Sequence, residues 1–368
     1  MKSRKLIILL LAVTLSIMGC AGGTNSSKET STEFNKDEAK IDSEIEETPI
    51  TDFEYEYDAE TEGIKITKYV GNSINVIIPN EIEEQAVTYI GKDAFKESGI
   101  KTVVIPDSVK EIGENAFRGC KGLTEIELPK NLSYIGTSAF SESCLKEIYV
   151  DAKKIGNTAF WNCESLTKVT IGDNVTEIGT SIFNGCNELM EVSIGNGLKE
   201  IPEKAFYECL SLKKIEFGNS IETVGKYSFS NCSGLEEVII PDNVVDIQSR
   251  AFEQCSSLKK AVIGNGVNTI EGTAFIDCVA LSELQLGKNV SVLGFSAFSG
   301  CKSLTNVSLP DSVSDIGPAS TYGSNGTFGD CKNIMVTYKG NIYTYANIDD
   351  LYGAINGDKY SEEAVPTK

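Results

Sequence analysis

Short segments of alternating apolar and polar residues recur along most of the chain. Leu123–Leu128 and Leu212–Phe217 show this alternation, which is the pattern of a strand with one buried face. Most of these segments end at a Pro or Gly, where the chain turns, and a second short apolar stretch follows, such as Val109–Ile112. Each repeat of the pattern therefore predicts a strand and a second, shorter extended piece.

A phenylalanine within the motif Ala-Phe-x-x-Cys gives the register of the repeats. Its spacings are 22, 23 and 20 residues, then 23 six times, then 30. The eleven positions are Phe95, Phe117, Phe140, Phe160, Phe183, Phe206, Phe229, Phe252, Phe275, Phe298 and Phe328. The motif is compact enough for one helical or 3₁₀ turn.

A repeat of this length cannot bury its own apolar face, so neighbouring repeats must stack and share one core. The pattern predicts a repeat solenoid in which the strands form one long parallel sheet, with neighbours ~4.8 Å apart. Short 3₁₀ or helical turns are expected on the other side. Both ends depart from the repeat, and we expect a hairpin cap around Phe53–Tyr57 and Ile64–Thr67 and a cap of two strands and a short helix after the last repeat.

The motif Ile-Gly-x-x-Ala-Phe-x-x-Cys-x-x-Leu-x-x-(Ile/Val)-x-(Ile/Leu)-Pro resembles the BspA-like leucine-rich repeats of bacterial surface proteins. It covers about 260 of the 368 residues. The resemblance implies a right-handed leucine-rich-repeat superhelix displayed at the cell surface, and many members of that family are regarded as adhesins or host-interaction proteins. A shared fold does not identify a ligand.

The N-terminus has the features of an export signal. Lys2, Arg4 and Lys5 precede the apolar run Leu6–Met18, which is too short to span a bilayer. The run ends in Leu15–Cys20, which resembles the lipobox of bacterial lipoproteins. The resemblance implies that Cys20 is lipidated and becomes the new N-terminus, so that lipid chains alone hold the protein at the membrane. An ordinary cleaved signal, in which Cys20 is incidental, is the alternative.

These features divide the chain into six predicted regions. Residues 21–51 are rich in Gly, Ser, Thr and charge, a composition that cannot bury enough apolar surface to become ordered. The regions are a signal peptide at 1–19, a lipidated N-terminus and disordered linker at 20–51, an N-terminal cap at 52–75, eleven leucine-rich repeats at 76–334, a C-terminal cap at 335–357 and a tail at 358–368.

Composition excludes several classes of function. The net charge of −20 disfavours nucleic acid and bare anionic lipid as partners. The chain has no histidine, which removes Ser-His-Asp and Cys-His catalysis and histidine-bound zinc. Carboxylates recur at fixed repeat offsets, as in Glu111, Glu177 and Glu200, which is typical of a solvated face and not of a catalytic pair. We expect a protein that is not an enzyme and needs no cofactor.

Ten cysteines, from Cys120 to Cys331, follow the repeat. Their number in an exported protein suggests disulfides, but equivalent side chains in stacked coils point in parallel and not at one another. We expect free thiols that pack as small apolar groups. Metal binding is disfavoured because no coil offers a second soft ligand. Ser98 replaces the cysteine of the first repeat, and Cys144 lies one place late in the short Phe140 repeat.

Charge alternates at the position two places after the repeat leucine. In a parallel, in-register sheet these residues form a ladder that stabilises register and solubility, or a face on which a protein partner docks together with four residues at the next outward offset. The ladder is Glu125, Glu147, Lys168, Glu191, Lys214, Glu237, Lys260, Glu283 and Asn306, and the neighbouring residues are Tyr149, Glu216, Ile239 and Val262.

The last interval contains an insertion at 317–327, which includes Tyr322. Insertions in solenoids form surface loops, often on the binding face. It is either a recognition loop or a loop tolerated near the end of the stack.

Together these features predict a cell-surface lipoprotein that binds an extracellular protein or glycoprotein through its strands or the insertion. The alternative is capture of a glycan or nutrient beside a transporter or enzyme. That function would need stacked exposed aromatic residues, and the strand positions supply only Tyr149. A spacer that presents another domain is a third class, which the absence of a second domain disfavours.

Overall fold

The chain is described at residues 47–318, 326–357 and 359 by a computed structural model. The predicted signal peptide, the lipidation of Cys20, the side chain of Tyr322 and most of the predicted tail lie outside the described residues.

The N-terminal cap is an antiparallel hairpin of β1 (Phe53–Asp58) and β2 (Gly63–Tyr69), preceded by a 3₁₀ turn at Ile50–Asp52. The described residues before this turn also contact the first coil. The backbone N–H of Thr48 donates to the Ile77 carbonyl at 3.1 Å, and its hydroxyl accepts from the Ile77 N–H at 2.9 Å. Thr48 thus pairs beside the first repeat strand and is buried.

Most coils contribute one longer strand, and these strands stack as the long-strand column. Their alternating burial follows the sequence pattern, with apolar side chains inside. The column contains β3 (Asn75–Ile77), β6 (Thr102–Val104), β9 (Glu147–Val150), β11 (Lys168–Ile171), β13 (Glu191–Ile194), β15 (Lys214–Glu216), β17 (Glu237–Ile240), β19 (Lys260–Ile263), β21 (Glu283–Gln285), β23 (Asn306–Ser308) and β25 (Met335–Tyr338).

A second column, the short-strand column, begins with β2 and runs parallel through the coils. A two-residue strand, β4 (Glu81–Ile82), pairs antiparallel with β5 (Gln85–Ile90). The column continues with β5 (Gln85–Ile90), β7 (Glu111–Ile112), β8 (Tyr134–Ile135), β10 (Lys154–Ile155), β12 (Glu177–Ile178), β14 (Glu200–Ile201), β16 (Thr223–Val224), β18 (Asp246–Ile247), β20 (Thr269–Ile270), β22 (Val292–Leu293) and β24 (Asp315–Ile316).

The chain forms the parallel-sheet solenoid that the sequence predicted, and backbone pairing divides its long strands into groups. They pair in four groups: β3–β6, β9 to β15, β17 to β21, and β23 with β25. Leu123–Leu128 alternates in sequence but pairs as a strand with neither neighbouring coil. The coils remain stacked at these junctions because backbone hydrogen bonds elsewhere in each coil join it to the next.

One interruption of the short-strand column has a direct chemical cause. The residue after each short strand usually donates its N–H to the preceding coil, as Gly179 does to Ile155 and Gly225 to Ile201, both at 2.8 Å. Pro202 occupies this position after β14 and has no N–H to donate. The column is accordingly divided between β12 and β14.

The Ala-Phe-x-x-Cys stretches form a third column, the turn column. They are successive turns and not the predicted helical or 3₁₀ turns. Residues two places before and two places after the phenylalanine have positive φ in most coils, as at Lys204 (56°) and Glu208 (59°), whereas a helix keeps φ negative. This conformation directs the phenylalanine N–H to a carbonyl of the next coil, at 2.7–3.0 Å for every phenylalanine from Phe95 to Phe298.

Stacked phenylalanine rings fill the centre of the turn column. From Phe95 to Phe328, neighbouring ring centroids lie 4.9–5.8 Å apart with planes within 14° of parallel. Tyr69 of the hairpin extends the stack at 5.3 Å from Phe95. The phenylalanine rings are almost completely buried, so this stack is a continuous apolar core that runs through every coil.

Nine of the ten repeat cysteines are free, buried thiols, as the sequence predicted. Each donates its S–H to the carbonyl of the phenylalanine in the preceding coil, at 3.0–3.3 Å. Cys144 is the exception and is only half-buried, because Ser143 occupies the core position of its coil. The thiols therefore join coils as well as fill space.

Ser228 is expected to destabilise the turn column. It occupies the position where most coils have alanine, is fully buried, and its hydroxyl has no hydrogen-bond partner in the described residues. Replacing Ser228 with alanine removes an unsatisfied polar group, so the free energy of unfolding should rise by about 1 kcal/mol. Urea denaturation measures the change. Ser230→Ala is the matched control, because the Ser230 hydroxyl donates to Glu253 at 3.2 Å, and it should not stabilise.

The C-terminal cap completes both strand columns. β25 pairs antiparallel with β26 (Asn341–Thr344), and a 3₁₀ turn (Tyr345–Asn347) leads into helix α1 (Ile348–Asn356). The Asn356 amide accepts from the Ile316 N–H at 2.9 Å and donates to the Ile316 carbonyl at 2.6 Å. This side chain therefore satisfies the open edge of β24 as another strand would. No helix among the described residues has the length and apolar character to cross a membrane.

Candidate protein-binding face

The outward positions of the long strands form two parallel rows, which we call the strand face. Their side chains are exposed or half-exposed, whereas the residues between them point into the core. The first row is Glu147, Lys168, Glu191, Lys214, Glu237, Lys260 and Glu283, and the second row is Tyr149, Thr170, Ser193, Glu216, Ile239, Val262 and Gln285.

Strand pairing places opposite charges side by side along the first row. Lys168 lies beside both Glu147 and Glu191, and Lys260 lies beside both Glu237 and Glu283. The register is that of the predicted charge ladder, but the ladder has a gap. Lys214 pairs with Glu191 in register, whereas β15 and β17 belong to different sheets.

Few of these neighbours form close ion pairs. Lys260 Nζ lies 2.6 Å from a Glu237 carboxylate oxygen. Lys214 instead contacts Glu216 in its own strand, also at 2.6 Å. In the described part of the chain Lys168 has no salt bridge, so its ammonium group is available to a partner. Exposed pairs of this kind add little to the stability of the fold. Their charged groups can therefore exchange these contacts for contacts with a partner.

Hydrogen bonding to these charges shifts their pKa values. The Lys214 ammonium group and the Ser193 hydroxyl, which donates at 2.9 Å, hold the pKa of Glu216 below its ordinary value. Hydrogen bonds to Glu216 and Glu237 raise the pKa values of Lys214 and Lys260 respectively. Glu216, Lys214 and Lys260 therefore keep their charges through the neutral pH range.

Two large apolar side chains lie exposed in the second row. Tyr149 and Ile239 each expose 59 % of their surface. Ile239 lies beside the half-exposed Val262, in register with the Glu237–Lys260 pair. The face therefore combines an apolar centre with a charged surround, which is the usual composition of a protein interface.

The structure defines the base of the insertion but not Tyr322. Thr327 is fully buried, its N–H donates to the Gly317 carbonyl at 2.8 Å, and its hydroxyl donates to the Gly294 carbonyl at 3.0 Å. Gly317 and Thr327, which bound the insertion, are therefore hydrogen-bonded to each other and packed against the preceding coil. The recognition role of Tyr322 stays a prediction.

A groove on the strand face was missed by the sequence reasoning. It lies where β21 and β23 separate and has a volume of about 510 Å³. Its lining includes Gln285, Asn306, Ser308 and Thr337. The signal in the sequence was the loss of charge after Glu283, where the outward positions become amides and hydroxyls.

The described residues present extended contact surfaces. Among them, no three His, Cys, Asp or Glu side chains converge as metal ligands. Burial raises the pKa values of Cys186 and Cys209 well above the ordinary range, which makes these thiols poor nucleophiles. What the geometry offers is an extended surface with placed charges and apolar side chains.

Fold and surface together define a leucine-rich-repeat scaffold. The model of the BspA type leucine rich repeat region matches residues 64–154, 88–201, 153–282 and 270–348. The chain belongs to this family, whose repeat is a protein-interaction scaffold and is typically non-enzymatic. No curated protein matches the chain.

Solved structures of bacterial leucine-rich-repeat proteins are similar to this one. A leucine-rich repeat protein from Bacteroides ovatus is 27% identical with a TM-score of 0.54, and the match covers 79% of this chain and 88% of that one. The Treponema pallidum leucine-rich repeat protein is 34% identical over 52% of this chain and 91% of its own, with a TM-score of 0.49. A leucine rich cell surface protein from Faecalibacterium prausnitzii is 24% identical over 78% of this chain and 87% of its own, with a TM-score of 0.47.

Proposed function

We propose that this protein is a lipoprotein anchored at Cys20 on the bacterial cell surface, and that its strand face binds an extracellular protein or glycoprotein. The observation that carries the binding role is the exposed apolar centre at Ile239 and Val262 beside the Glu237–Lys260 pair. Membership of the BspA type family supports a scaffold for protein interaction.

The energetics of the face favour a protein partner. Burying Ile239 removes a large exposed apolar side chain from water, which supplies affinity. The charged row supplies orientation and association rate more than affinity, because exposed charges lose hydration when they pair. The charges of the first row would therefore orient a partner with complementary charges, and the apolar residues of the second row would supply most of the affinity.

Binding of the purified protein to immobilised extracellular-matrix proteins, mucins and polysaccharides tests this function. The Lys214→Glu, Lys260→Glu variant breaks two ion pairs on the strand face. Lys154→Glu, Lys199→Glu is its matched control, because it changes the charge equally and breaks two ion pairs beside the short-strand column. We expect a protein ligand whose binding is lost only in the strand-face variant.

The other outcomes select different functions. Binding to polysaccharide alone would favour capture of a glycan or nutrient. Equal binding by both variants would remove the strand face from the proposal. If the protein bound no member of the panel, a partner within the same cell envelope would be favoured.

A further inference from the structure

The groove between β21 and β23 differs chemically from the rest of the strand face. The first row changes from Glu283 to Asn306, and the second row runs from Gln285 through Ser308 to Thr337. No charged side chain lines the groove, and Leu284, Leu286 and Val307 contribute apolar surface. Charged residues are 23% of the chain, so a site without them is suited to an uncharged ligand.

Backbone groups are also unpaired at this junction. β21 is the last strand of one hydrogen-bonded group and β23 the first of the next, and no backbone hydrogen bond joins the two strands in the described residues. Strand edges with free N–H and C=O groups are templates for an added extended chain.

The polar side chains in the groove have unused hydrogen-bonding capacity. Gln285, Ser308 and Thr337 are exposed, and their side chains form no hydrogen bond within the described residues. An amide side chain carries a donor and an acceptor side by side, which matches the N–H and C=O groups of a peptide bond. By contrast, the equivalent opening between β15 and β17 is bordered by the Lys214–Glu216 ion pair.

We propose that this groove binds an extended, uncharged peptide segment through the main chain of the peptide. The proposal rests on the proposed function, since the segment belongs to the protein partner. The groove has a volume of about 510 Å³ and is open to solvent. A peptide is favoured over a sugar because no aromatic side chain lines the groove for stacking.

Selection of a phage-displayed library of random 12-residue linear peptides on the full chain tests the proposal. Synthetic copies of selected peptides are then titrated against the protein and its variants. Gln285→Ala, Asn306→Ala should weaken binding about tenfold, because two hydrogen bonds are lost. N-methylation of the peptide at alternate amides should weaken it similarly. Asn184→Ala, Gln254→Ala replaces two amides in the turn column, away from the strand face and the groove, and should leave the affinity unchanged.

Three results would overturn the proposal. One is a selection that gives no peptide whose affinity depends on Gln285 and Asn306. A second is equal affinity for the N-methylated peptide. The third is binding of a neutral oligosaccharide, with maltohexaose as the probe, at these two residues in place of peptide. If a protein partner still required Lys214 and Lys260 in any of these cases, the proposed function would stand and the peptide groove alone would fail.

Discussion

Replacing Phe206 with alanine is expected to lower the free energy of unfolding by about 3–5 kcal/mol. Phe206 is fully buried, and its ring stacks on Phe183 at 5.4 Å and on Phe229 at 5.2 Å. Its loss leaves a cavity and removes contacts to both neighbouring coils. In a repeat protein, stability depends on these nearest-neighbour interfaces. Urea denaturation of the fragment that comprises residues 47–368, followed by circular dichroism, measures the change.

Tyr207→Ala is the matched control for this variant. Tyr207 is the next residue in the same coil and is only half-buried, so its replacement should cost much less. Equal losses in the two variants would contradict a central role for the phenylalanine stack. Phe206→Leu, which fills more of the space, should recover a large part of the stability.

The protein is expected to lose stability steeply as the pH rises above about 9. Burial raises the pKa of Cys163 to about 11 and that of Cys331 to about 12. The pKa values of six other thiols are also raised by burial, namely those of Cys120, Cys186, Cys209, Cys232, Cys278 and Cys301.

The direction of the effect follows from proton binding. Above about pH 8.5–9 the unfolded chain releases its thiol protons, whereas the folded chain still holds them. Each raised thiol therefore contributes stability that is complete below pH 8.5 and is lost as the pH rises toward its folded pKa. Between these two pKa values the free energy of unfolding falls by about 1.4 kcal/mol per pH unit for each thiol. All eight thiols act in the same direction, so their effects on the free energy of unfolding add, and an ordinary domain has only roughly 5–15 kcal/mol to lose.

Urea denaturation at several pH values, with a reductant present, measures this slope. The Cys209→Ala, Cys232→Ala variant removes two of the eight thiols, so the slope should decrease by about a quarter, whatever the change in stability at neutral pH. A stability that stays constant between pH 8 and 11 would contradict the account of the thiols, as would a slope that the double replacement leaves unchanged.

The sequence predicted the features that depend on side-chain type and period. Phe206 and Cys209 recur at fixed offsets, so their burial in every coil followed from the repeat. The exposure of Lys214 and Ile239 followed from the strand alternation. The missing bond at Pro202 is also visible in the sequence once the coil is known to need an N–H there.

The features that depend on backbone geometry between coils could not be predicted in this way. Left-handed residues in the turn column include Lys204, Tyr227 and Arg250, which have no preference for that conformation. They adopt it because it directs N–H groups toward the next coil. Residue type does not report the loss of backbone pairing between β21 and β23, so the groove was missed although its uncharged residues were visible.

The central claim is that the strand face is the binding surface, and equilibrium affinity for the partner found in the immobilised panel tests it most directly. The dissociation constant is measured for the Lys214→Glu, Lys260→Glu variant and for its control, Lys154→Glu, Lys199→Glu. The account predicts at least about tenfold weaker binding for the strand-face variant and less than about twofold change for the control. Equal weakening in both, or greater weakening in the control, would place the binding surface elsewhere on the solenoid.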